Sequence, residues 1–515
     1  MHRAVVPRDR ADDPLRPRYK WIALSNTTLG VLIATINLSI ILIALPDIFR
    51  GIGVDPLRPG NTSLLLWLIM SYMVVTAVLV VSFGRLGDMY GRVRMYNLGF
   101  AVFTVFSVLL SVTWTHGTAG GLLGPFDWHL VFLVSVPIGL FGTVWASLKL
   151  RDTGLRTPAQ LDWWGNLTFA VGLIAVLSGI TYGIQPYGGR TMGWTNPWVL
   201  AAIGAGLALL VLFCLIENRV AQPMFRLGLF RIRASSAGNV ASLLASLGRG
   251  GLMFILIIWF QGIWLPRHGY DFEQTPLWAG IYMLPLTIGF LIAGPLSGWA
   301  SDRFGARIFT TGGMLLAAAT FVALKELPAD FAYPLFALIL LFNGLAMGLF
   351  ASPNRAAIMN SLPPDQRGVG AGISTTFQNS ATVLSIGIFS SLMIAGLASS
   401  LPGTLGHGLT EQGVAPADAA RVAALPPVGV LFAALLGYNP IRSLLGPDAL
   451  AHLSAGHADY LTGRAFFPTL ISEPFERGLS VAFDFAIAAC LVAALASLLR
   501  GGQYIHGEPA KAGEG

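Results

Sequence analysis

Two ionisable side chains stand inside long apolar runs, Arg249 in SLGRGGLMF and Asp484 in SVAFDFAIA. A charge in hydrocarbon is costly, so such groups are the first candidates for functional chemistry. Arg249 lies mid-run between Gly248 and Gly250, which permit close helix approach. There a guanidinium holds an anionic group, pairs with a carboxylate or snorkels to the interface, and its depth favours a functional role. Asp484 falls nearer one end of its run, where a solvated helix terminus is the plainer reading; buried, it would serve as a proton acceptor. Gln378 and Asn379 in TTFQNSATV, with Trp259 and Gln261 in IIWFQGIW, suit a midplane cavity for an amphipathic ligand, or interhelical hydrogen bonding. No GxxxxGK[ST], HExxH or Ser/His/Asp pattern occurs, and the histidines are scattered, so no cofactor, metal or enzymatic activity is expected. Cys214 and Cys490 sit in apolar runs without metal-ligand spacing and read as small buried hydrophobes.

These residues need helices in lipid to position them. Hydrophobic residues make up 54% of the 515 and charged residues only 11%, far below the roughly 25% charge of soluble domains. Runs of about 20 apolar residues match a helix crossing a core about 30 Å thick. Hydropathy places twelve spans, near 21–45, 64–83, 94–114, 129–149, 165–184, 197–216, 238–264, 277–299, 308–326, 332–353, 368–397 and 479–499. With the N-terminus cytoplasmic, inside segments hold 22 Lys and Arg and outside loops 9, a positive-inside bias that fixes both termini in the cytoplasm. That bias also accounts for the net charge of +7 without a nucleic-acid partner. The expected partners are the lipid bilayer, a small-molecule substrate and protons. Residues 398–478 form a long outer loop with one apolar run, VGVLFAALL, too short to cross; it packs as a small cap or lies on the membrane surface.

A repeat organises the chain. After the second span stands GRLGDMYGRVR, with Gly84, Asp88, Gly91, Arg92 and Arg94; after the eighth stands GWASDRFGARI, with Gly298, Asp302 and Gly305. The shared spacing, at matched places in two halves, indicates duplication. The glycines allow a tight turn between helix ends, and Asp88 can accept from helix N-terminal amides and pair with Arg92 or Arg94, making a breakable cytoplasmic latch.

These residues resemble the major facilitator superfamily, whose signature between helices two and three has this Gly, Asp, Gly, Arg pattern. The resemblance narrows to the fourteen-span drug:proton antiporter branch through Trp67 and Tyr72, ALPDI at 44–48, WHLVFLVSVPIG at 128–139 and LDWWG at 161–165, the last opening a pair of extra linker helices. It implies an all-α polytopic fold of two bundles with two linker helices. The layout is then a basic N-terminus (1–20), a first bundle (21–150), the linker spans (151–233), five spans of the second bundle (234–397), the outer loop (398–478), a last span (479–499) and a tail (500–515). Twelve spans stand where that branch has fourteen. Only 13 residues separate Trp114 from Trp128, whereas the second half carries SPNRAAIMNSLPPDQRGVGAGIS between its fourth and fifth helices. Helices four and five of the first half are therefore expected to be missing, about 60 residues by the second half's spacing. Asn37 stands where the family's first helix usually has Asp, and a neutral amide takes up no proton there. The resemblance implies proton-coupled export of hydrophobic or amphipathic drugs by alternating access across the plasma membrane. The missing pair keeps two alternatives open, a carrier of another metabolite or direction, and a truncated protein that does not transport.

Overall fold

The computed structural model describes residues 61–112, 128–150, 162–271 and 274–501, apart from 221, 222, 224, 364, 365, 437 and 438, together with Ser25 and Gly30. Among these residues the chain is helical, with a single isolated bridge between Tyr187 and Arg190 and no strand. Eight helices there are long and apolar enough to cross a membrane. The span expected at 21–45 lies outside the described residues. Two compact units separate: residues 1–53 with 86–158, and 54–85 with 159–515.

In the first unit the last turn of α1 (Asn61–Tyr90) leads into α2 (Arg92–Val112), which packs along α3 (Trp128–Lys149). Glycines of the VPIGLFG stretch make the contact close. A Cβ on Gly139 would collide with Thr104 Oγ1, and one on Gly142 would sit 2.7 Å from the Phe100 ring.

The second unit holds residues 61–85 of α1 and then two paired helices, α4 (Trp163–Gly183) and α5 (Pro197–Glu217). Asp162 caps α4 by accepting from Gly165 N at 2.9 Å, and Asn196 caps α5 by accepting from Trp198 N at 3.0 Å. Trp163, Trp164 and Trp198 stand exposed at the capped ends, where amphipathic rings anchor a helix at the headgroup level. The pair closes on small residues, since a Cβ on Gly206 would lie 2.7 Å from the Gly172 carbonyl oxygen.

The six helical segments of the second half follow. They are α6 (Arg233–Ile258), continued by a π-helical stretch Trp259–Trp264; α7 (Thr275–Tyr282) with α8 (Leu284–Phe304); α9 (Ala306–Lys325); α10 (Tyr333–Ser361); α11 (Arg367–Glu411); and, after four short helices, α16 (Phe466–Leu498). The most extensive packing is α8 on α10. Gly289 and Gly344 interlock there: a Cβ on either would strike a main-chain oxygen of the other helix, Leu341 O or Leu286 O. Gly348, one turn on, meets Phe290 O at 2.9 Å in the same way, so Gly344 and Gly348 form a small-xxx-small face that brings two backbones together without a hydrophobic driving force.

The expected outer loop is largely helical. α11 runs 14 residues past the hydropathic span that ends at 397, because Leu397, Leu401, Leu405 and Leu409 repeat every fourth residue and are all buried. α16 likewise starts at Phe466, with Phe467, Ile471, Phe475 and Leu479 buried. Between them lie α12 (Pro416–Ala423), α13 (Pro427–Leu435), α14 (Ile441–Ala451) and α15 (Ala455–Thr462). α12 packs on the α11 extension through Ala419 and Val422. α13, the VGVLFAALL run, packs against the π-helical stretch, where a Cβ on Gly262 would lie 2.5 Å from Ala434 O.

Overpacking a close helix crossing typically costs about 1–3 kcal/mol. Gly344→Val should therefore lower the thermal midpoint of the detergent-purified protein by several degrees or abolish its monodisperse elution, whereas Gly312→Val, with open space around it, should not; fluorescence-detected size exclusion after a heating series reads both.

Candidate functional site

The duplicated motif makes the same turn twice. Gly91 separates α1 from α2 with φ 107°, and its N–H donates to Gly87 O at 3.0 Å. Gly305 separates α8 from α9 with φ 86°, donating to Ser301 O at 2.9 Å. Each turn reverses the chain over one residue in a conformation that L side chains rarely adopt, which is why glycine ends both motifs. The leading glycines differ. A Cβ on Gly298 would meet Ser352 Oγ of α10 at 2.9 Å, whereas Gly84 has open space. Asp302 is exposed and makes no hydrogen bond or ion pair among the described residues, and Arg94 is exposed too. The side chains of Asp88 and Arg92 lie outside the described residues, and so does the latch expected between them.

Mid-helix on α6, Gly250 serves the close packing expected beside Arg249, whereas Gly248 has only ordinary contacts with Cys490 and Phe321. Gly250 and Gly251 press on α11: a Cβ on Gly250 would sit 3.0 Å from the Thr382 methyl, and one on Gly251 would overlap the Phe389 ring. Ser385 of α11 also donates to Leu247 O. The Arg249 side chain remains accessible, with its guanidinium carbon 4.9 Å from the centroid of the Phe290 ring on α8. Such a cation–π contact is worth about 0.5–1 kcal/mol at an accessible site. No carboxylate pairs with Arg249 among the described residues. Gln378 and Asn379 are half-buried on α11, one turn before Thr382.

The other candidates do not join this place. Trp259 and Gln261 are fully buried rather than lining a cavity wall. Trp259 donates from its indole to Ala329 O at 3.0 Å and is surrounded by Phe331, Phe336, Phe475 and Phe483, so it is core. Gln261 keeps both amide atoms buried without a hydrogen-bond partner, in a π-helical turn, a feature periodic reading does not detect. Asp484 does not meet Arg249. It accepts from Lys325 Nζ at 2.5 Å at the end of α9 and is more than half exposed, which suits a solvated ion pair better than a buried proton acceptor. Trp67 of α1 meets Tyr182 of α4 edge-on at 6.4 Å, while Tyr72, on the same helix, is half-buried. Thr376 of α11 donates to Ala77 O of α1 at 3.1 Å. Asn37 lies outside the described residues. Two buried charges escaped sequence reading: Glu217 at the end of α5, which accepts from Phe225 N at 3.1 Å, and Arg500, just past the last span, whose charge was absorbed into the positive-inside count.

A helical membrane protein with long glycine-packed spans and a duplicated one-residue turn is, as a class, a polytopic carrier. The family model of the Major Facilitator Superfamily matches residues 27–386 and again 238–501, and the chain belongs to that family. It is thus a multi-pass membrane transporter rather than an enzyme. It is 24% identical over 519 aligned positions to the tetracenomycin C resistance and export protein of Streptomyces glaucescens, covering 89% of this chain and 93% of that one. It is 24% identical over 438 positions to a riboflavin transporter of Clostridioides difficile, covering 74% and 90%. A methyl viologen resistance protein of Salmonella typhimurium is 27% identical over 460 positions, covering 78% and 87%.

A non-glycine residue held at positive φ costs about 1–3 kcal/mol. Gly91→Ala and Gly305→Ala should each reduce thermal stability in detergent, while Gly84→Ala should leave it unchanged; equal effects at all three positions would contradict the turn assignment.

Proposed function

We propose that the chain is a proton-coupled exporter of hydrophobic or amphipathic compounds in the plasma membrane, with both termini cytoplasmic, working by alternating access. The observation that carries this reading is Arg249: a mid-span charge, accessible, seated over an aromatic ring and without a carboxylate among the described residues. An ionisable group kept at that depth is expensive unless it is used. Gln378 and Asn379, half-buried on the helix against which α6 packs, supply the few polar groups that a largely apolar pocket needs. The relative named for tetracenomycin C export agrees with this cargo class, whereas methyl viologen, named by another, is a dication. An uncompensated guanidinium further favours neutral or acidic aromatic compounds over lipophilic cations, since a like charge would be repelled.

The reading includes the fourteen-span branch and a first half shortened by two helices. α2 packs on α3 as α9 packs on α16, which supports α3 as the sixth helix of its half. The second half's fourth and fifth helices, α10 and α11, then have no counterpart between residues 112 and 128. The relatives' alignments match this reading in total length only. Filling 519 aligned positions with 89% of this chain leaves about 60 of them empty on this side, and the riboflavin and methyl viologen alignments leave a similar number, the length of two spans of about 20 residues with loops. An even number of lost spans keeps every downstream loop on its own side of the membrane.

Transport in proteoliposomes tests the proposal. A pH gradient, inside acidic for inside-out protein, should drive uptake of acidic and neutral aromatic dyes, with lipophilic cations transported at least about tenfold less well. Arg249→Gln should remove that preference and Asp88→Asn should abolish gradient-driven movement. Well-folded protein that moves none of the panel would reject export, and movement indifferent to the gradient would reject proton coupling.

A further inference from the structure

Arg500 follows α16 directly, is 5% exposed, and keeps Nε, Nη1 and Nη2 buried without a hydrogen-bond partner. Its position is built rather than frayed. Arg233, the first residue of α6, donates from Nε to Leu499 O at 2.7 Å and ties the end of α16 to the start of α6. Gly238 of α6 makes room for the guanidinium, since a Cβ there would lie 2.7 Å from Nη2 and 2.5 Å from the Ile358 side chain of α10. Burial pushes the group down only to about 10, so at neutral pH the charge stays on. A buried arginine is normally paired, because five donors in a fixed fork and a full charge are expensive to leave unmet.

The neighbourhood holds unpaired polar groups but no carboxylate among the described residues, and Asn354 Oδ1, also buried without a partner, is a neutral acceptor that brings no counter-charge. Ser497, one turn earlier on α16, has a fully buried hydroxyl without a partner. Asn354 of α10 spends its amide protons on Gly238 O at 3.0 Å and Ser242 Oγ at 2.7 Å. α6 begins without a side-chain cap, so the positive end of its dipole adds to the field. Meanwhile Arg267, Arg421 and Arg477, all more accessible, are each paired with a carboxylate, to Asp330, Asp418 and Glu473. Among the described residues no carboxylate reaches Arg500, so none of them supplies its counter-charge.

We propose that Arg500 and Ser497 form a buried anion site between the start of α6 and the end of α16, which takes one phosphate-type oxyanion. The guanidinium fork matches two oxygens of a phosphate, and the serine hydroxyl supplies a third donor. The phosphate belongs either to an anionic phospholipid or to the free ion. The first source fits the setting, because Leu491, Leu495, Leu498 and Leu499 leave an exposed apolar stripe leading to the site, along which an acyl chain can lie.

The full chain, delipidated in a neutral detergent, should be heated with phosphatidylcholine alone, with added phosphatidylglycerol, and with inorganic phosphate against chloride at equal ionic strength, while native mass spectrometry counts retained lipid. The wild type should gain several degrees with phosphatidylglycerol or phosphate. Apparent affinity should fall about tenfold or more in Arg500→Gln and less in Arg500→Lys and Ser497→Ala. A response to phosphatidylglycerol alone identifies a lipid headgroup, and an equal response to inorganic phosphate identifies the free ion. No response in the wild type, or one equally large in Arg500→Gln, overturns the site. If that variant does not fold, unchanged affinity in both Arg500→Lys and Ser497→Ala overturns it instead.

Discussion

Inside hydrocarbon there is no water to satisfy a peptide group, and this constraint dictates nearly everything else about the protein. It forces the backbone into long helices and removes apolar burial as a reason for those helices to associate. What remains is close packing. The chain meets that need with glycines placed where backbones must touch: Gly172 on Gly206, Gly289 on Gly344, Gly251 under Phe389, Gly262 against the main chain of α13. Where backbones interlock in this way, short buried polar side chains add hydrogen bonds between helices, as Asn343 does to Thr320, Ser374 to Asn239 and Asn354 to Ser242. Polar side chains left accessible, Arg249 foremost, are available for something else.

Outside the spans the physics changes, and so does what a sequence reveals. The turns at Gly91 and Gly305 were legible because only glycine serves there and the motif occurs twice. The cores of the spans were legible because an unbroken apolar run of span length has few other uses. The extension of α11 to Glu411 was not, since averaging over a window dilutes a four-leucine stripe with the Ser, Thr, Gly and His residues between its members. The π-helical turn at Trp259–Trp264 was invisible for a related reason, as the composition of a π-turn is that of the α-helix around it. Trp259 and Gln261 looked like cavity-lining residues, yet an aromatic cluster encloses Trp259 and Gln261 is fully buried. Arg500 was hidden by a rule that works on average: a basic residue after a last span counts toward orientation, and nothing in the sequence distinguishes a solvated arginine from one sealed between two helices.

On the proposed reading, the two halves of this transporter bear the duplication unequally. The second half has all six of its family's helices, with α10 and α11 supplying much of the packing around α6 and α8. In the first, α2 and α3 are the helices described after Gly91, and residues 113–127 between them lie outside the described residues. On the same reading, a carrier that rocks two bundles about a central site does so here with one bundle reduced, and the orientation of every later loop depends on the reduction being a pair. The side of the membrane on which the α3 to α4 connection lies is therefore the most direct test of the account. Single cysteines placed between residues 155 and 160, in a chain with Cys214 and Cys490 replaced, should react with an impermeant maleimide only from the cytoplasmic face, while cysteines at 186–192 should react only from outside. Labelling of 155–160 from outside would contradict the loss of an even pair of helices, and with it the architecture argued for this protein.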